Sequence, residues 1–315
     1  MRSRAILLWV LSLTVLLGLF PLASRGNNIF YSLGAQGLDC ENGAFRLMLS
    51  KDGGPHYRFF DRITNKTEYH LKLVRLFEFE DTNGDGVYSQ VSDTILPPPI
   101  SLQSGNWVFK DFTYEEQNGS IQELQFHLNG SDFSPAQTSL KIGLRHYVDA
   151  TNTSIVKFDI IISGWQWSRG NSGLCLAGVV GSSARGNGSI STPNTTQKST
   201  MIGFESAFVS YPANASFDSN FAQVNVSVGG FPEQGDGQGV LFCFPNFGDN
   251  QLSYDPTIGL EELSTTTTTT TSSPTTTTIT TTRPPSSILG AERFLLLAAG
   301  TTAVVGVLVL AASRD

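Results

Sequence analysis

Cysteine, histidine and charged side chains are all scarce in this chain. Its 315 residues include three cysteines and four histidines, and only 15% of them are Asp, Glu, Lys or Arg. The cysteine spacing fits no zinc site, and no two histidines have metal-ligand spacing on one strand. The G-x-S-x-G elbow, the HExxH helix and the phosphate-binding loop are also missing. These absences predict a protein that is not an enzyme.

Clusters of Lys and Arg are missing as well. The chain carries 27 acidic and 20 basic residues, which gives a formal net charge of −7. A protein that binds nucleic acid needs a basic patch to contact the phosphate backbone. The composition therefore predicts no nucleic-acid partner.

Helical periodicity is nearly absent, whereas alternation of apolar and polar residues recurs along the chain. Asn118-Gly119 separates two alternating runs, which is the strongest short signal of a hairpin. In the longest run, the apolar side chains are predicted to share one face, and they are Tyr69, Leu71, Leu73, Phe77 and Phe79. The predicted strands cover residues 44–50, 56–61, 69–79, 107–114, 121–128, 140–148, 154–162, 174–180, 202–208, 221–228 and 240–244.

Short strands at regular spacing, separated by Gly, Asn and Asp turns, are typical of an antiparallel sandwich. We therefore predict an all-β extracellular domain over residues 27–263, built as an antiparallel β-sandwich. Two packed sandwiches that divide near residues 131–139 are the alternative. Residues 181–200, which are rich in Gly, Ser and Thr, are predicted to form a long exposed loop.

The N-terminus has the order of a secretory signal. Arg2 and Arg4 precede an apolar run at residues 5–22, and small polar residues follow it. Because this is the n-region, h-region and cleavage-region pattern, residues 1–26 are predicted to be a signal peptide. Cleavage after Ser24 and cleavage after residue 26 both fit the pattern, and an uncleaved membrane helix is the alternative.

The C-terminal part combines a polar stalk with an apolar run. Residues 264–288 consist almost entirely of Thr, Ser and Pro, which is too polar to fold and typical of an O-glycosylated stalk. A plain flexible linker is the alternative. Residues 289–312 contain an uncharged run of about the 20 residues that span a bilayer, so they are predicted to be a transmembrane helix, followed by a cytoplasmic tail at 313–315. A buried core helix and a tail processed near Ser286 or Gly290 are the alternatives.

Acceptor sites for N-linked glycans recur along the predicted outer domain. The pattern Asn-x-Ser/Thr marks exposed positions in secreted proteins. It occurs at Asn65, Asn118, Asn129, Asn152, Asn187, Asn194, Asn214 and Asn225. All eight lie between the predicted signal and the predicted stalk, which agrees with an extracellular glycoprotein.

The three cysteines are Cys40, Cys175 and Cys243. In an oxidising compartment two of them are able to pair. Cys175 and Cys243 both fall in predicted strands, so they are the preferred disulfide. Three buried thiols that act as small apolar side chains are the alternative.

Residues 81–93 carry oxygen donors at alternating positions, with a glycine that allows a sharp bend. Such a pattern suits Ca²⁺, which binds several oxygen ligands. The predicted ligands of a structural calcium ion are Asp81, Asn83, Asp85, the carbonyl of Val87, and Asp93. The loop resembles the calcium loops of EF-hand and dockerin modules, but it has Ser92 at the closing position and no flanking helices. A hairpin loop that binds nothing is the alternative.

Two further groups of residues bear on ligand binding. Trp165 and Trp167 lie on one strand face or flank a turn, and they are predicted either to form a sugar platform or to cap the core. A carboxylate pair for glycoside hydrolysis and an ordinary exposed strand face are alternative predictions for five acidic residues, which are Glu78, Glu80, Asp111, Glu115 and Glu116. His146 falls on an apolar face and is predicted to be a core residue.

The order of segments resembles archaeal cell-surface and S-layer-associated proteins, through the threonine stalk at 265–282, Pro284-Pro285 and the apolar run at 294–312. That resemblance implies a cell-surface location with the N-terminal domain outside. The sequence therefore predicts a membrane-anchored surface glycoprotein, a non-catalytic structural or adhesive module that is stabilised by calcium. Its expected partners are the membrane, envelope proteins and glycans. A carbohydrate-binding receptor is the alternative, and a surface hydrolase is a weaker one.

Overall fold

The computed structural model describes residues 28–64, 66–186, 189–218, 220–231 and 235–261. These residues belong to one compact unit, Met1–Ser264. The predicted signal peptide, stalk, transmembrane helix and tail lie outside the described residues, as do the acceptor sites Asn65 and Asn187. Among the described residues, no helix has the length and apolar character needed to cross a membrane.

The described residues contain 20 strands, two short 3-10 turns and no α-helix, which confirms the predicted all-β class. The first ten strands are β1 (Ile29–Leu33), β2 (Gly37–Asn42), β3 (Phe45–Ser50), β4 (His56–Asp61), β5 (Thr67–Glu80), β6 (Thr94–Ser101), β7 (Asn106–Gln117), β8 (Ser120–Ser131), β9 (Lys141–Asp149) and β10 (Ile155–Ser163). The other ten are β11 (Gly173–Ala184), β12 (Thr195–Lys198), β13 (Met201–Phe204), β14 (Ala207–Ser210), β15 (Asn214–Phe217), β16 (Asn220–Gln223), β17 (Asn225–Val228), β18 (Gln238–Pro245), β19 (Leu252–Tyr254) and β20 (Thr257–Leu260).

The strands form two antiparallel sheets. The first has nine strands, in the order β1-β2-β3-β4-β5-β11-β18-β17, with β6 added beside β5. The second has eleven strands, in the order β12-β13-β14-β20-β10-β19-β15-β16, and from β10 it extends through β9 and β8 to β7. The chain crosses between the sheets several times, so neither sheet is a continuous segment of sequence.

The inner faces of both sheets contribute to one apolar core. Tyr57 of the first sheet and His146 of the second meet there, with the tyrosine oxygen 2.9 Å from the imidazole Nε2. His146 is fully buried and stacks between the rings of Phe126 and Phe158, which confirms its prediction as a core residue. The shared core includes residues from both sides of 131–139, so no boundary divides it there, and the arrangement is sandwich-like.

Strand β5 departs from the predicted alternation. Its register with β11 shifts at Ala177/Gly178, and such a bulge moves every later side chain to the opposite face. Leu73 therefore faces the core, whereas Phe77 and Phe79 face outward into a second cluster. The prediction of one shared face along residues 69–79 was wrong for this reason.

Three other local predictions of strands and loops were also wrong. The predicted strand 202–208 is a hairpin, since Glu205 adopts a positive φ of 56° between β13 and β14. The predicted strand 221–228 is divided between β16 of the second sheet and β17 of the first. The predicted loop 181–200 contains the end of β11 and all of β12. The hairpin at Asn118-Gly119 is confirmed, and both of its turn residues have positive φ.

A second apolar cluster lies on the outer face of the first sheet. Its members are Phe77, Phe79, Tyr88, Cys175, Ala177, Val179, Phe231, Leu241 and Cys243. We refer to these residues as the outer cluster. Tyr88 belongs to the predicted calcium loop, so that loop forms part of the cover over this face.

Candidate functional sites

The predicted calcium loop, residues 81–93, joins β5 to β6 and is held by its own carboxylates. The two carboxylate oxygens of Asp81 accept hydrogen bonds from the amides of Gly84 and Gly86, each at 2.8 Å. Both glycines have positive φ, 74° and 72°, a conformation that glycine adopts at little cost. Asp85 accepts from the amide of Val87 at 2.8 Å. The backbone thus wraps around the acidic side chains.

Asp93 closes the loop. One of its carboxylate oxygens accepts from the amide of Thr82 at 3.1 Å, and the other accepts from the amide of Ser89 at 2.7 Å. The hydroxyl oxygen of Ser92, at the predicted closing position of the loop, is buried without a hydrogen-bond partner in the described structure. The closing carboxylate therefore comes from the residue after the usual position.

The donor set of this loop has the chemistry of a hard-cation site, since all five predicted ligands offer oxygen. Each oxygen of Asp81 and Asp93 already accepts one amide, and a carboxylate oxygen has a second lone pair to offer. Within the described part of the chain, no group of three or more His, Cys, Asp or Glu side chains converges closely enough to hold a metal ion. An ion bound here would need the amide oxygen of Asn83, backbone carbonyl oxygens and water oxygens as ligands, in addition to the carboxylates.

The loop is docked onto the outer cluster by Tyr88. The ring of Tyr88 meets the rings of Phe77 and Phe79 edge-on, with centroids 4.9 and 5.9 Å apart. Its backbone amide points at the sulfur of Cys243 at 3.4 Å, and its side chain is only 6% exposed. Loop conformation and burial of the cluster are therefore linked.

The preferred cysteine pair lies beneath this cover. Cys175 and Cys243 are directly opposite each other on β11 and β18, and their sulfurs are 3.4 Å apart as hydrogen-bonded thiols. All three cysteines are free and buried in the structure. Burial raises the pKa of Cys175 well above its usual value and raises the pKa of Cys40 to about 12. Cys175 and Cys40 therefore lack the thiolate character that reactivity requires.

The predicted tryptophan platform is not presented to solvent. Trp165 is only 3% exposed and packs in the main core. Trp167 is partly buried, and its indole N–H donates to the carbonyl of Gly248 at 2.8 Å. The two rings meet edge-on. A flat sugar platform needs exposed ring faces, so this arrangement corresponds to the alternative prediction, in which the indoles cap the core.

The described acceptor asparagines differ in accessibility. Asn118, Asn152, Asn194 and Asn214 are exposed. Asn129 is half-buried on the outer face of β8. Asn225 is also half-buried, and its side-chain nitrogen donates to the carbonyl of Asp85 at 3.2 Å.

The histidines, which looked scattered in the sequence, form one close pair. The ring nitrogens of His56 and His70 are 3.0 Å apart, and the other ring nitrogen of His70 is 2.9 Å from the hydroxyl of Ser183. Burial lowers the pKa of His56 to about 3 and that of His70 to about 4. Ser183 is 6% exposed. Both members of this serine–histidine pair are thus buried, since His70 is 5% exposed.

Two of the carboxylates considered for hydrolysis, Glu78 and Glu80, are engaged by neighbouring groups. Glu78 is 1% exposed and accepts hydrogen bonds from the amides of Ser168 and Arg169 and from the hydroxyl of Ser172. Glu80 forms an ion pair with Arg169. Glu78 was predicted on the exposed face of β5, and the bulge in that strand is the reason for the error.

The outer face of the second sheet carries a polar groove that the sequence did not reveal. The register of β7, β8, β9 and β10 places Lys110, His127, Arg145 and Asp159 side by side in one row. The groove has a volume of about 530 Å³. It is lined by Asn106, Val108, Lys110, His127, Asn129, Gly130, Ser131, Lys141, Ile142, Gly143, Arg145, Ile161 and Ser163. We refer to it as the β7–β10 groove.

Hydrogen bonds hold the polar side chains of this row in place. Arg145 donates from Nε to His127 at 3.1 Å and from Nη1 to the hydroxyl of Tyr147 at 3.3 Å. Tyr147 in turn donates to Asp159 at 2.8 Å. Asp111 adopts a positive φ of 54° in a bulge of β7, which brings its carboxylate to 3.4 Å from the ring of His127. The bulge thus directs an acidic group toward the row.

Comparison with known proteins adds little to this description. No protein-family model matches the sequence, and no curated protein is detectably similar to it. Among solved structures, heparan sulfate lyase HepC from Pedobacter heparinus and a mutant of it are similar at TM-scores of 0.35 and 0.36 and sequence identities of 9% and 8%. Each match covers 75% of this chain and 35% of the lyase chain. The chain spans about a third of the lyase length, and a likeness this distant carries no argument about activity.

Proposed function

We propose that this chain is a membrane-anchored cell-surface glycoprotein whose β-sandwich domain is a non-catalytic structural or adhesive module stabilised by calcium. The observation that carries the proposal is the docking of loop 81–93 over the outer cluster. A loop whose carboxylates are wrapped by its own backbone, and whose Tyr88 seals an apolar surface, links ion binding directly to folding.

Calcium acts in this proposal by holding the loop closed. The ion would be held by Asp81, Asn83, Asp85, the carbonyl of Val87 and Asp93. Its charge would offset the negative charge of the loop carboxylates nearest to it. At a concentration about a hundred times its dissociation constant, such an ion adds about 2.7 kcal/mol to the free energy of unfolding.

The proposed location rests on the sequence. A signal peptide at 1–26, a stalk at 264–288, a transmembrane helix at 289–312 and a short tail at 313–315 place residues 27–263 outside the cell. The exposure of Asn118, Asn152, Asn194 and Asn214 supports a glycosylated outer surface. The membrane is then the first partner, and envelope proteins or glycans are the others.

Burial of His70, Ser183 and Glu78 supports a non-catalytic module. Ser183 and His70 are buried, and Glu78 accepts hydrogen bonds from three different residues. The predicted platform of Trp165 and Trp167 does not support the alternative of a carbohydrate receptor, because Trp165 is buried.

The proposal is tested by thermal melts of the full-length chain in a neutral detergent, with calcium and with a chelator. Calcium is expected to raise the midpoint of the parent, and Asp85→Asn should remove most of that rise. Asp52→Asn is the matched control, since Asp52 lies in an exposed turn between β3 and β4. Identical melts of the parent in both conditions would show that the loop is only a turn.

A further inference from the structure

We propose that the β7–β10 groove binds an acidic glycan, with Lys110, Lys141 and Arg145 contacting its carboxylate or sulfate groups. This site is separate from the calcium loop, which lies on the other sheet. The inference does not depend on calcium binding or on membrane anchoring.

The charge of the groove supports an anionic ligand. Acidic residues outnumber basic ones in the chain, 27 to 20, yet the lining of the groove contains three cationic residues and no Asp or Glu. Neither Lys110 nor Lys141 forms an ion pair with a carboxylate in the described part of the chain. Two exposed ammonium groups on one face, neither of them in an ion pair, attract an oxyanion.

Arg145 is pre-positioned for such a ligand. Its Nε and Nη1 atoms are engaged with His127 and Tyr147, which fixes the plane of the guanidinium group. Asp159 lies 3.9 Å from Nη1 and offsets part of the charge, and Asp111 flanks the far end of the row beside His127. Nη2 takes part in none of these bonds, so it remains able to donate to an incoming oxyanion.

The floor and walls of the groove suit a polyhydroxylated chain. Gly143 leaves the floor open, and the side chains of Asn129 and Ile161 stand beside it. Amide and hydroxyl groups of Asn106, Ser131 and Ser163 line the remainder. Such groups hydrogen-bond sugar hydroxyls, and Val108 and Ile161 offer apolar contact to the C–H faces of a ring.

Other anionic ligands fit less well. Single-stranded nucleic acid binds through aromatic side chains that stack on its bases, and the groove lining contains no Phe, Tyr or Trp. A lipid headgroup at a membrane surface calls for an apolar face beside the cations, whereas polar side chains surround these. The groove therefore favours a glycan that carries acidic groups.

Asn129 lies inside the groove and is also an acceptor asparagine. A glycan attached at Asn129 would occupy the groove, so binding of an external ligand requires this position to be unmodified. The full-length chain is therefore best produced in a host without N-linked glycosylation, purified in a neutral detergent, and titrated calorimetrically with polygalacturonate, dextran sulfate and neutral dextran. Binding of an acidic polymer and no binding of dextran is the expected result.

Two sets of variants test the site itself. The double variant Lys110→Gln/Lys141→Gln should weaken binding at least tenfold, because it removes both unpaired ammonium groups. The matched control Lys51→Gln/Lys198→Gln removes the same charge outside the groove and should change affinity less than twofold. If the control loses as much affinity as the groove variant, attraction is set by total charge and the proposal is overturned.

Gly143→Val fills the groove without altering any charge. A Cβ atom at Gly143 would meet the Asn129 oxygen at 3.4 Å and Ile161 at 3.6 Å, and valine favours strand geometry, so the thermal midpoint should stay close to that of the parent. Affinity for the acidic polymer should fall about tenfold. Unchanged affinity in a folded Gly143→Val variant would overturn the proposal, as would tighter binding of single-stranded DNA or phosphatidylglycerol vesicles. Either failure leaves the calcium-dependent melt unaffected.

Discussion

The side-chain amide of Asn225 donates a hydrogen bond to the backbone carbonyl of Asp85 at 3.2 Å. The two residues are 140 positions apart, and the bond joins strand β17 to the predicted calcium loop. The contact is close, because a Cβ atom at Gly86 would lie 2.3 Å from the same nitrogen. Asn225 thus holds the loop against the first sheet with the atom to which an N-linked glycan would be attached.

Asn225 is therefore expected to carry less glycan than the exposed acceptor sites. In a host that modifies Asn-x-Ser/Thr sites, mass spectrometry of proteolytic peptides should find Asn118 occupied and Asn225 largely unmodified. Asn118 lies in an exposed two-residue turn and is the matched reference. Equal occupancy of the two sites would mean that the loop is not held by Asn225 when glycans are added.

Substitution of the loop glycines distinguishes the cost of backbone strain from the cost of losing the hydrogen bond between Asn225 and Asp85. Gly84 and Gly86 have nearly the same positive φ, but only Gly86 faces Asn225. Gly84→Ala should cost about 1 kcal/mol from strain alone. Gly86→Ala should cost about 1 kcal/mol more, since it displaces Asn225 and breaks its hydrogen bond. The extra cost should vanish in an Asn225→Ala background, as measured by chemical unfolding in saturating calcium, and its persistence there would contradict the assigned contact.

Tyr88 is expected to protect Cys243 from solvent. Tyr88→Ala should lower the free energy of unfolding by about 3 kcal/mol, as for other buried aromatic side chains. It should also speed maleimide labelling of Cys243 in reduced, folded protein, which peptide mapping can assign. Val91→Ala serves as the control, because Val91 lies in the same loop and is 98% exposed. Equal labelling rates in both variants would show that another element shields the thiol.

The buried His146 is expected to lower the free energy of unfolding in acid. Burial lowers the pKa of His146 to about 3, against about 6.5 in an unfolded chain. Between these values the unfolded state binds one more proton than the folded state, so stability falls as the pH falls below about 6.5. One proton corresponds to about 1.4 kcal/mol per pH unit.

The variant His146→Phe/Tyr57→Phe removes this group together with its hydrogen-bond partner. Between pH 6 and pH 4.5, the unfolding free energy of the variant should fall less steeply with decreasing pH, by about 1.4 kcal/mol per pH unit. The carboxylates contribute equally to the pH dependence of both proteins. The measurement is urea unfolding at pH 7, 6, 5 and 4.5. Parallel curves for parent and variant would indicate that His146 is protonated in the folded state.

Local signals in the sequence were sufficient for several elements of the fold. Asn118-Gly119 specified its hairpin because both residues tolerate positive φ. Strict alternation from Leu140 to Val148 placed β9 correctly with His146 inside. These features depend on neighbouring residues alone, so a single sequence contains them.

The remaining features depend on pairing between distant strands. The bulge opposite Ala177 reverses the faces of β5 and buries Glu78, and no residue type marks it in advance. The turn at Glu205 uses a positive φ without glycine. The β7–β10 groove exists only through the register of four strands, so Lys110 and Arg145 looked like ordinary exposed residues of separate strands. Contact between Asn225 and Asp85 was equally invisible, since it spans 140 positions.

Strand β7 pairs only with β8 and forms an edge of the second sheet in the described structure. An open edge is a template on which a second copy can add a strand. Here two bulges interrupt its register, at Lys110/Thr113 and at Glu115/Glu116, and the exposed charged residues Lys110, Asp111, Glu115 and Glu116 lie at or beside them. Irregular, charged edges resist such pairing. Copies of this domain are therefore not expected to join strand to strand through the β7 edge.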